Sequence, residues 1–282
     1  MTFGHLGGKP VDRNGHTTDP AGGAPPPQAL PLYTNPGMRP TSALELMVVA
    51  MAQQLRDGET IVFGAVSLLP LAAARLAQLT HAPNLTILAG ASAAVNPRAE
   101  PLLPSSGDYG NLVAESTLSF HELLLLQAGG RYDVFFAGGL QIDARGNANL
   151  VQAGTVRGPG AAGLPLATCV QRTILYTTNH DPRTFVPRVD FVTLPGWPLA
   201  GAPSPGAPTL VVTPIAVLDF VDGQIRLVST HGGADVAAVQ AVTGFPLILP
   251  PDGVPPTPPP PPAILKQLRA IDEGSLLLTP GP

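Results

Sequence analysis

Arg131–Leu150 reads RYDVFFAGGLQIDARGNANL, and the fold follows from it. Tyr132, Val134, Phe135, Phe136 and Ala137 make a short apolar run rich in β-formers with no polar alternation. Such a run predicts a strand covered on both faces, as in a parallel sheet. It ends at Gly138 and Gly139, where the missing Cβ lets a ligand or another backbone come close. Asp143, Gly146 and Asn147 then spell a turn in which the glycine takes positive φ and the Asp and Asn side chains bond nearby backbone. Ligands of open α/β sheets gather outside the carboxyl ends of the strands, so the candidate site is placed here.

The flanking segments carry the same alternation of elements. Upstream, Ser42 with Glu45 three residues later forms a capping box. Leu44, Met47, Val48, Met51, Ala52 and Leu55 follow at helical spacing, closed by Asp57-Gly58. Thr60 to Gly64 reads as a strand with residues 64–67 as its outgoing loop, and Leu69 to Leu79 as a helix with Pro70 in its first turn. Asn84 to Ala89 is the next strand, followed by Gly90, Ala91, Ser92 and Ala93 at its carboxyl end. After an irregular loop over 97–110, Leu118 to Ala128 is a third helix. Helix, strand, helix, strand in this order predicts a parallel α/β sheet with right-handed crossovers.

Beyond Leu150 the sequence is richer in loops. Residues 157–163 form a glycine-rich turn able to present backbone N–H groups. Arg172 to Thr177, Val189 to Thr193, Leu210 to Thr213 and Ile215 to Phe220 read as strands. A hairpin turn at 221–224 leads into Ile225 to Ser229, and Asp235 to Thr243 reads as a helix. The domain reading is a Pro/Gly-rich disordered tail over 1–40, an α/β domain over 41–250, a polyproline spacer over 251–262, and a helix with tail over 263–282.

Composition bounds the function. Of 282 residues, 44% are hydrophobic and 12% charged, a balance that leaves apolar surface for a partner subunit. A net charge of −4 gives no electrostatic reason to expect nucleic acid or an anionic membrane. Cys169 is the single cysteine, which excludes an intrachain disulfide. No apolar run reaches membrane-spanning length, and the first residues lack a signal-peptide pattern, so a cytoplasmic protein is expected.

Candidate chemistry is sparse. Ser105, Ser106 and Asp108 lack a nucleophile elbow and read as a turn. His180 and His231 sit in loops as candidate catalytic acids, although loop histidines are more often structural. His121 reads as a partly buried helix residue, Cys169 as a small buried one, and His5 and His16 as solvated tail residues. No metal site is expected.

The strings LRDGETIVFG at 55–64, ARLAQLTHAPNLTIL at 74–88, DVFFAGGLQIDARGNANL at 133–150, TLVVTPIAVLDF at 209–220 and IRLVSTHGGADVAAVQAVTGF at 225–245 resemble the β-type subunit of family I CoA-transferases, the glutaconate group. The resemblance runs over roughly residues 42–272. It implies a doubly wound α/β subunit with a mostly parallel sheet and a β-rich C-terminal part, paired with an α-type subunit and acting on an acyl-CoA, with no cofactor other than the coenzyme A of the substrate. In such transferases a glutamate in the loop after the second strand attacks the thioester. Here that position falls on Gly90 or Ala91, and no acid stands in the loop. Glu100 and Glu115 are the nearest replacements to consider. The strings look closest to a decarboxylase branch of the family acting on a glutaconyl-type ester, which needs no nucleophile; transfer or hydrolysis with the acid on the partner, or a catalytically silent subunit, are the alternatives. On this reading substrate contacts fall to Gly64, Ser67, Gly90, Ala91, Ser92, Gly138, Gly139, Gln141, Gly160 and Ala161.

Overall fold

The computed structural model describes residues 38–158, 160, 163–198 and 205–278. The N-terminal stretch 1–37, with His5 and His16, and Ala161 lie outside the described residues.

The chain opens on α1 (Ala43–Ala52), started by the expected capping box: Ser42 Oγ accepts the Glu45 N–H at 3.0 Å, and Glu45 Oε2 accepts the Ser42 N–H at 2.9 Å. Glu45 is fully buried, and Arg39 and Arg269 both donate to its carboxylate. Burial pushes its pKa up, but the Arg269 hydrogen bond and the Ser42 N–H outweigh that and hold it below the usual range. Then follow β1 (Thr60–Phe63), α2 (Leu68–Thr80), β2 (Thr86–Ala89), the two-residue strands β3 (Ala94–Val95) and β4 (Ser116–Thr117), and α3 (Phe120–Ala128). The decisive stretch supplies β5 (Val134–Gly138), β6 (Gln141–Ile142) and β7 (Ala148–Asn149). A small hairpin, β8 (Gln152–Ala153) with β9 (Val156–Arg157), precedes α4 (Gly163–Cys169) and β10 (Arg172–Tyr176). The remainder is β11 (Pro208–Val212), β12 (Ala216–Val221), β13 (Gln224–Thr230), α5 (Val236–Ala241) and α6 (Pro262–Ile271).

The central sheet has nine strands in the order β13-β12-β11-β10-β5-β1-β2-β3-β4. The five in the middle, β11 to β2, pair in parallel, and antiparallel strands extend both edges. Strict alternation shows that helices cover both faces. Ile61, Phe63, Val134, Phe136, Ile174 and Val212 join α1, α2 and α6 in one cluster. Their sequence neighbours Val62, Phe135, Ala137, Leu175 and Val211 join Leu166 and Ala167 of α4 and Val239 of α5 in the other. A mostly parallel sheet with helices on both faces is the expected fold. The chain steps from β1 outward to β2, then returns to lay β5 on the other side of β1. The order therefore reverses between β1 and β5, which puts a topological switch point at their carboxyl ends.

Several segments differ from expectation. Residues 163–169, expected as loop, form α4, because Leu166 and Ala167 bury against the sheet and Pro165 is tolerated in a first turn. Residues 189–193, expected as a strand, are irregular. The Asp190 N–H goes to the Gln141 side chain, the Thr193 and Leu194 N–H groups both go to Ala148 O, and prolines at 187 and 195 bound the segment. His121 is exposed, and Cys169 is half-buried rather than buried. The proline-rich run over 253–262, expected as a spacer, lies along the end of β13: Thr230 N–H donates to Pro255 O, and Thr257 N–H to Thr230 O at 2.8 Å. Among the described residues no helix is long and apolar enough to cross a membrane.

Candidate active site at the strand switch point

The carboxyl ends of β1, β2, β5 and β10 bring together Gly64, Ser67, Gly90, Ala91, Ser92, Gly138, Gly139 and Tyr176. A brace from the 97–110 loop fixes this edge. Ser106, fully buried, donates to the carbonyls of Gly64 and Ala65, Ser105 Oγ donates to Ala65 O at 2.7 Å, and the Gly107 N–H reaches Ala65 O at 3.2 Å. Asp108 closes the brace by accepting the Ser105 N–H. The serines therefore hold the β1 loop in place, as the turn reading expects.

The two candidate nucleophile positions differ sharply. Gly90 N–H donates to Phe63 O at 3.0 Å, and a Cβ on Gly90 would stand 2.5 Å from that oxygen, so no side chain fits there without moving backbone. Ala91 is exposed, with its Cβ beside Gly107. The position that admits a side chain is Ala91, and it holds a methyl group. Ser92 is half-buried, with a long 3.5 Å contact to Ala89 O.

Neither alternative carboxylate reaches this loop. Glu100 pairs with Arg75 at 2.8 Å and points to solvent. Glu115 hydrogen-bonds Asn96 and pairs with Arg98; Asn96 Nδ2 and then Arg98 hold its carboxyl below the usual range, and Asn96 lies opposite Ile87, toward the amino end of β2.

On the β5 side, Gly138 is exposed at the strand end and Gly139 stands against Ile142 and Ala148. Gln141 is buried and its amide is engaged by Asn149, by Asp190 N–H and by the Asp190 carboxylate, so it holds the β6–β7 hairpin rather than facing the crevice. Asp143 behaves as the turn reading expects, accepting the Arg145 and Asn147 N–H groups and the Asn147 side-chain amide, with Gly146 at φ 75°. Gly160, at φ 53°, packs close to Val151.

His180 and His231 lie away from the crevice in a hydroxyl network. His180 bonds Thr213 Oγ1 at 2.9 Å and Thr243 Oγ1 at 3.0 Å and stacks on Phe185. His231 bonds Thr213 O at 2.8 Å and Thr257 Oγ1 at 3.0 Å. Burial pushes both down to about 4, so each is a neutral imidazole at neutral pH. Tyr176, which no local motif marks, enters the site only because β10 pairs with β5.

Comparison with known proteins agrees with this geometry. The family model described as Coenzyme A transferase matches residues 44–243. The β-type chain of 3-oxoadipate CoA-transferase from Pseudomonas knackmussii is 29% identical over 248 residues, covering 82% of this chain and 93% of the relative. The cholesterol ring-cleaving hydrolase IpdB subunit of Mycobacterium tuberculosis is 29% identical over 212 residues, 71% of this chain and 83% of the relative. The crystal structure of the decarboxylase AibA/AibB superposes with a TM-score of 0.73 at 28% identity, covering 84% of this chain and 97% of that one. A sheet that reverses order between β1 and β5, together with a family match over most of the chain, makes this protein a β-type subunit of the coenzyme A transferase family.

Proposed function

We propose that this chain joins an α-type subunit to form an enzyme acting on a short-chain acyl-CoA, and that the reaction is decarboxylation of a glutaconyl-like ester. The observation that carries this reading is Ala91: the one position in the loop after β2 with room for an attacking side chain holds none. Decarboxylation needs no nucleophile. The bond to the departing carboxylate breaks, its electron pair runs through the adjacent double bond onto the thioester carbonyl, carbon dioxide leaves, and a proton adds to carbon. What the protein must supply is donors near the carbonyl oxygen and a poorly solvated place for the carboxylate. The backbone at Gly138 and Gly139 and the small side chains at 90–93 suit both tasks. Similarity to AibA/AibB supports the reading. No cofactor beyond the coenzyme A of the substrate is called for.

The α-type partner has a surface to cover. In α3, only Leu123 is buried, while Phe120 is 73% exposed, Leu125 59% and Leu124 45%. A helix this apolar and this open marks an interface.

Hydrolysis or transfer with the acid on the partner is the second reading, supported by equal identity to the IpdB hydrolase subunit and the 3-oxoadipate transferase chain. Mass spectrometry of the co-expressed pair separates them. Loss of carbon dioxide from glutaconyl-CoA, with no CoA exchange between acetyl-CoA and free glutaconate, is the expected result. Exchange, or release of free CoA alone, refutes decarboxylation.

A further inference from the structure

Ser67 occupies the N-cap of α2, where a serine ordinarily accepts an N–H from the first helical turn. Its side chain makes no such bond. Instead the Tyr176 phenol donates to Ser67 Oγ at 3.4 Å. Tyr176 ends β10, and its ring lies over the end of β5: a Cβ on Gly138 would stand 3.7 Å from both ring Cζ and the phenol oxygen. The phenol thus spans the switch point, from β10 across β5 to the loop of β1.

A serine hydroxyl has one proton and two lone pairs. The phenol takes a lone pair, and among the described residues no acceptor takes the Ser67 proton. Ser67 is 4% exposed, so that proton is held at the base of the crevice. Glycine at 64 keeps the approach open, since a Cβ there would stand 3.9 Å from Ser67 Oγ.

We propose that Ser67 is a catalytic residue that donates a hydrogen bond to the thioester carbonyl oxygen of the substrate, and that Tyr176 is the positioning residue that aims and polarises it. The proposal rests on the acyl-CoA reading above and adds a donor pair to it. A chain of two neutral hydroxyls suits an oxygen that is uncharged in the bound substrate and gains charge as carbon dioxide departs, because each link polarises the next. Burial raises the Tyr176 phenol, which keeps it a donor. The 3.4 Å contact is long for a hydroxyl pair, as catalytic hydrogen bonds often are before substrate arrives.

The test uses the assembled complex with S67A, Y176F and the double variant. S67A should lower kcat about 100-fold, the scale of losing one such donor, with KM changed by less than about threefold. Y176F should cost about tenfold alone and nothing further in the S67A background, because Tyr176 acts through Ser67. Ser67 makes no capping bond, so S67A should keep the wild-type Tm. A higher KM with unchanged kcat in S67A, or a Y176F cost that persists in the double variant, overturns the proposal. A second readout separates it from the choice of reaction. Glutaryl-CoA lacks the double bond that decarboxylation uses. With a 13C-labelled thioester carbonyl, its C=O stretch should fall on binding to the wild-type complex and return toward the free value in S67A. That result with no turnover of glutaconyl-CoA sinks the decarboxylase reading and keeps the donor pair. An unshifted carbonyl, or no binding, sinks the donor pair.

Discussion

Acidification to pH 5 should weaken this protein through two histidines. His180 and His231 hold neutral rings among Thr213, Thr243 and Thr257, and burial keeps both near 4, against 6.5 for the free side chain. Asp181 beside His180 pulls its value up but does not offset the burial, and His231 pushes it further down. In the unfolded chain each ring takes up a proton as pH falls through about 6.5; in the folded chain neither does until about 4. Between those values the unfolded state binds more protons, so the stability present above pH 6.5 is progressively lost. At pH 5 the loss is about 2 kcal/mol per histidine, roughly 4 for the pair, and about 3.4 each once pH falls below 4. A loss of that size is a large part of an ordinary domain's stability. Carboxylates held low, such as Glu45, Glu59 and Asp181, lose their contribution only as pH approaches their unfolded values near 4. Urea unfolding at pH 7.5 and pH 5.0 measures the difference. H180N and H231N should each start less stable yet lose about 2 kcal/mol less on acidification. A pH dependence identical to wild type in both variants would refute the assignment of neutral buried rings.

Gly90→Ala and Ala91→Glu are adjacent and should behave oppositely. The first forces a Cβ against Phe63 O and should cost about 1–3 kcal/mol; the second is an exposed substitution worth within about 0.5 kcal/mol. Equal melting temperatures, or an unfolded Ala91→Glu, would show the loop geometry to be misread. Leu125→Glu on α3 should leave the isolated chain folded and weaken its association with the α-type subunit at least tenfold by calorimetry. Unchanged affinity would remove α3 from the interface.

Local rules reached much of this fold. Ser42 with Glu45 announces α1, Asp222-Gly223 the β12–β13 hairpin, and the unbroken apolar run at 134–137 a strand buried on both faces. What escaped depends on partners distant in sequence. Residues 189–193 have strand composition, but their N–H groups go to Gln141 and Ala148 rather than to a ladder. The proline run looks like a spacer until Thr257 is seen between Ser229 and His231. Gln141 reads as a site residue because it follows the diglycine; only Asp190 and Asn149 reveal its structural role. Tyr176 carries no local sign at all, since its contact with Ser67 spans 109 residues and arises from the strand order.

That same order explains how relatives with different names share one scaffold. Gly90 is tied by its N–H to Phe63 O, Gly107 by its N–H to Ala65 O, and Ser106 to Gly64 and Ala65, so the path of the loops is written in backbone and in buried hydroxyls. None of those contacts involves the side chain at 91. A carboxylate, a methyl group or another small group can occupy that position without disturbing the brace, while the donors at the β1–β5 crevice stay fixed. The chemistry is therefore decided by one replaceable group set against a constant electrostatic frame. Similarity of 28–29% to a transferase chain, a hydrolase chain and a decarboxylase is what such a frame produces. Overall likeness does not choose among the three reactions; the methyl group of Ala91 weighs against those that need a nucleophile on this chain.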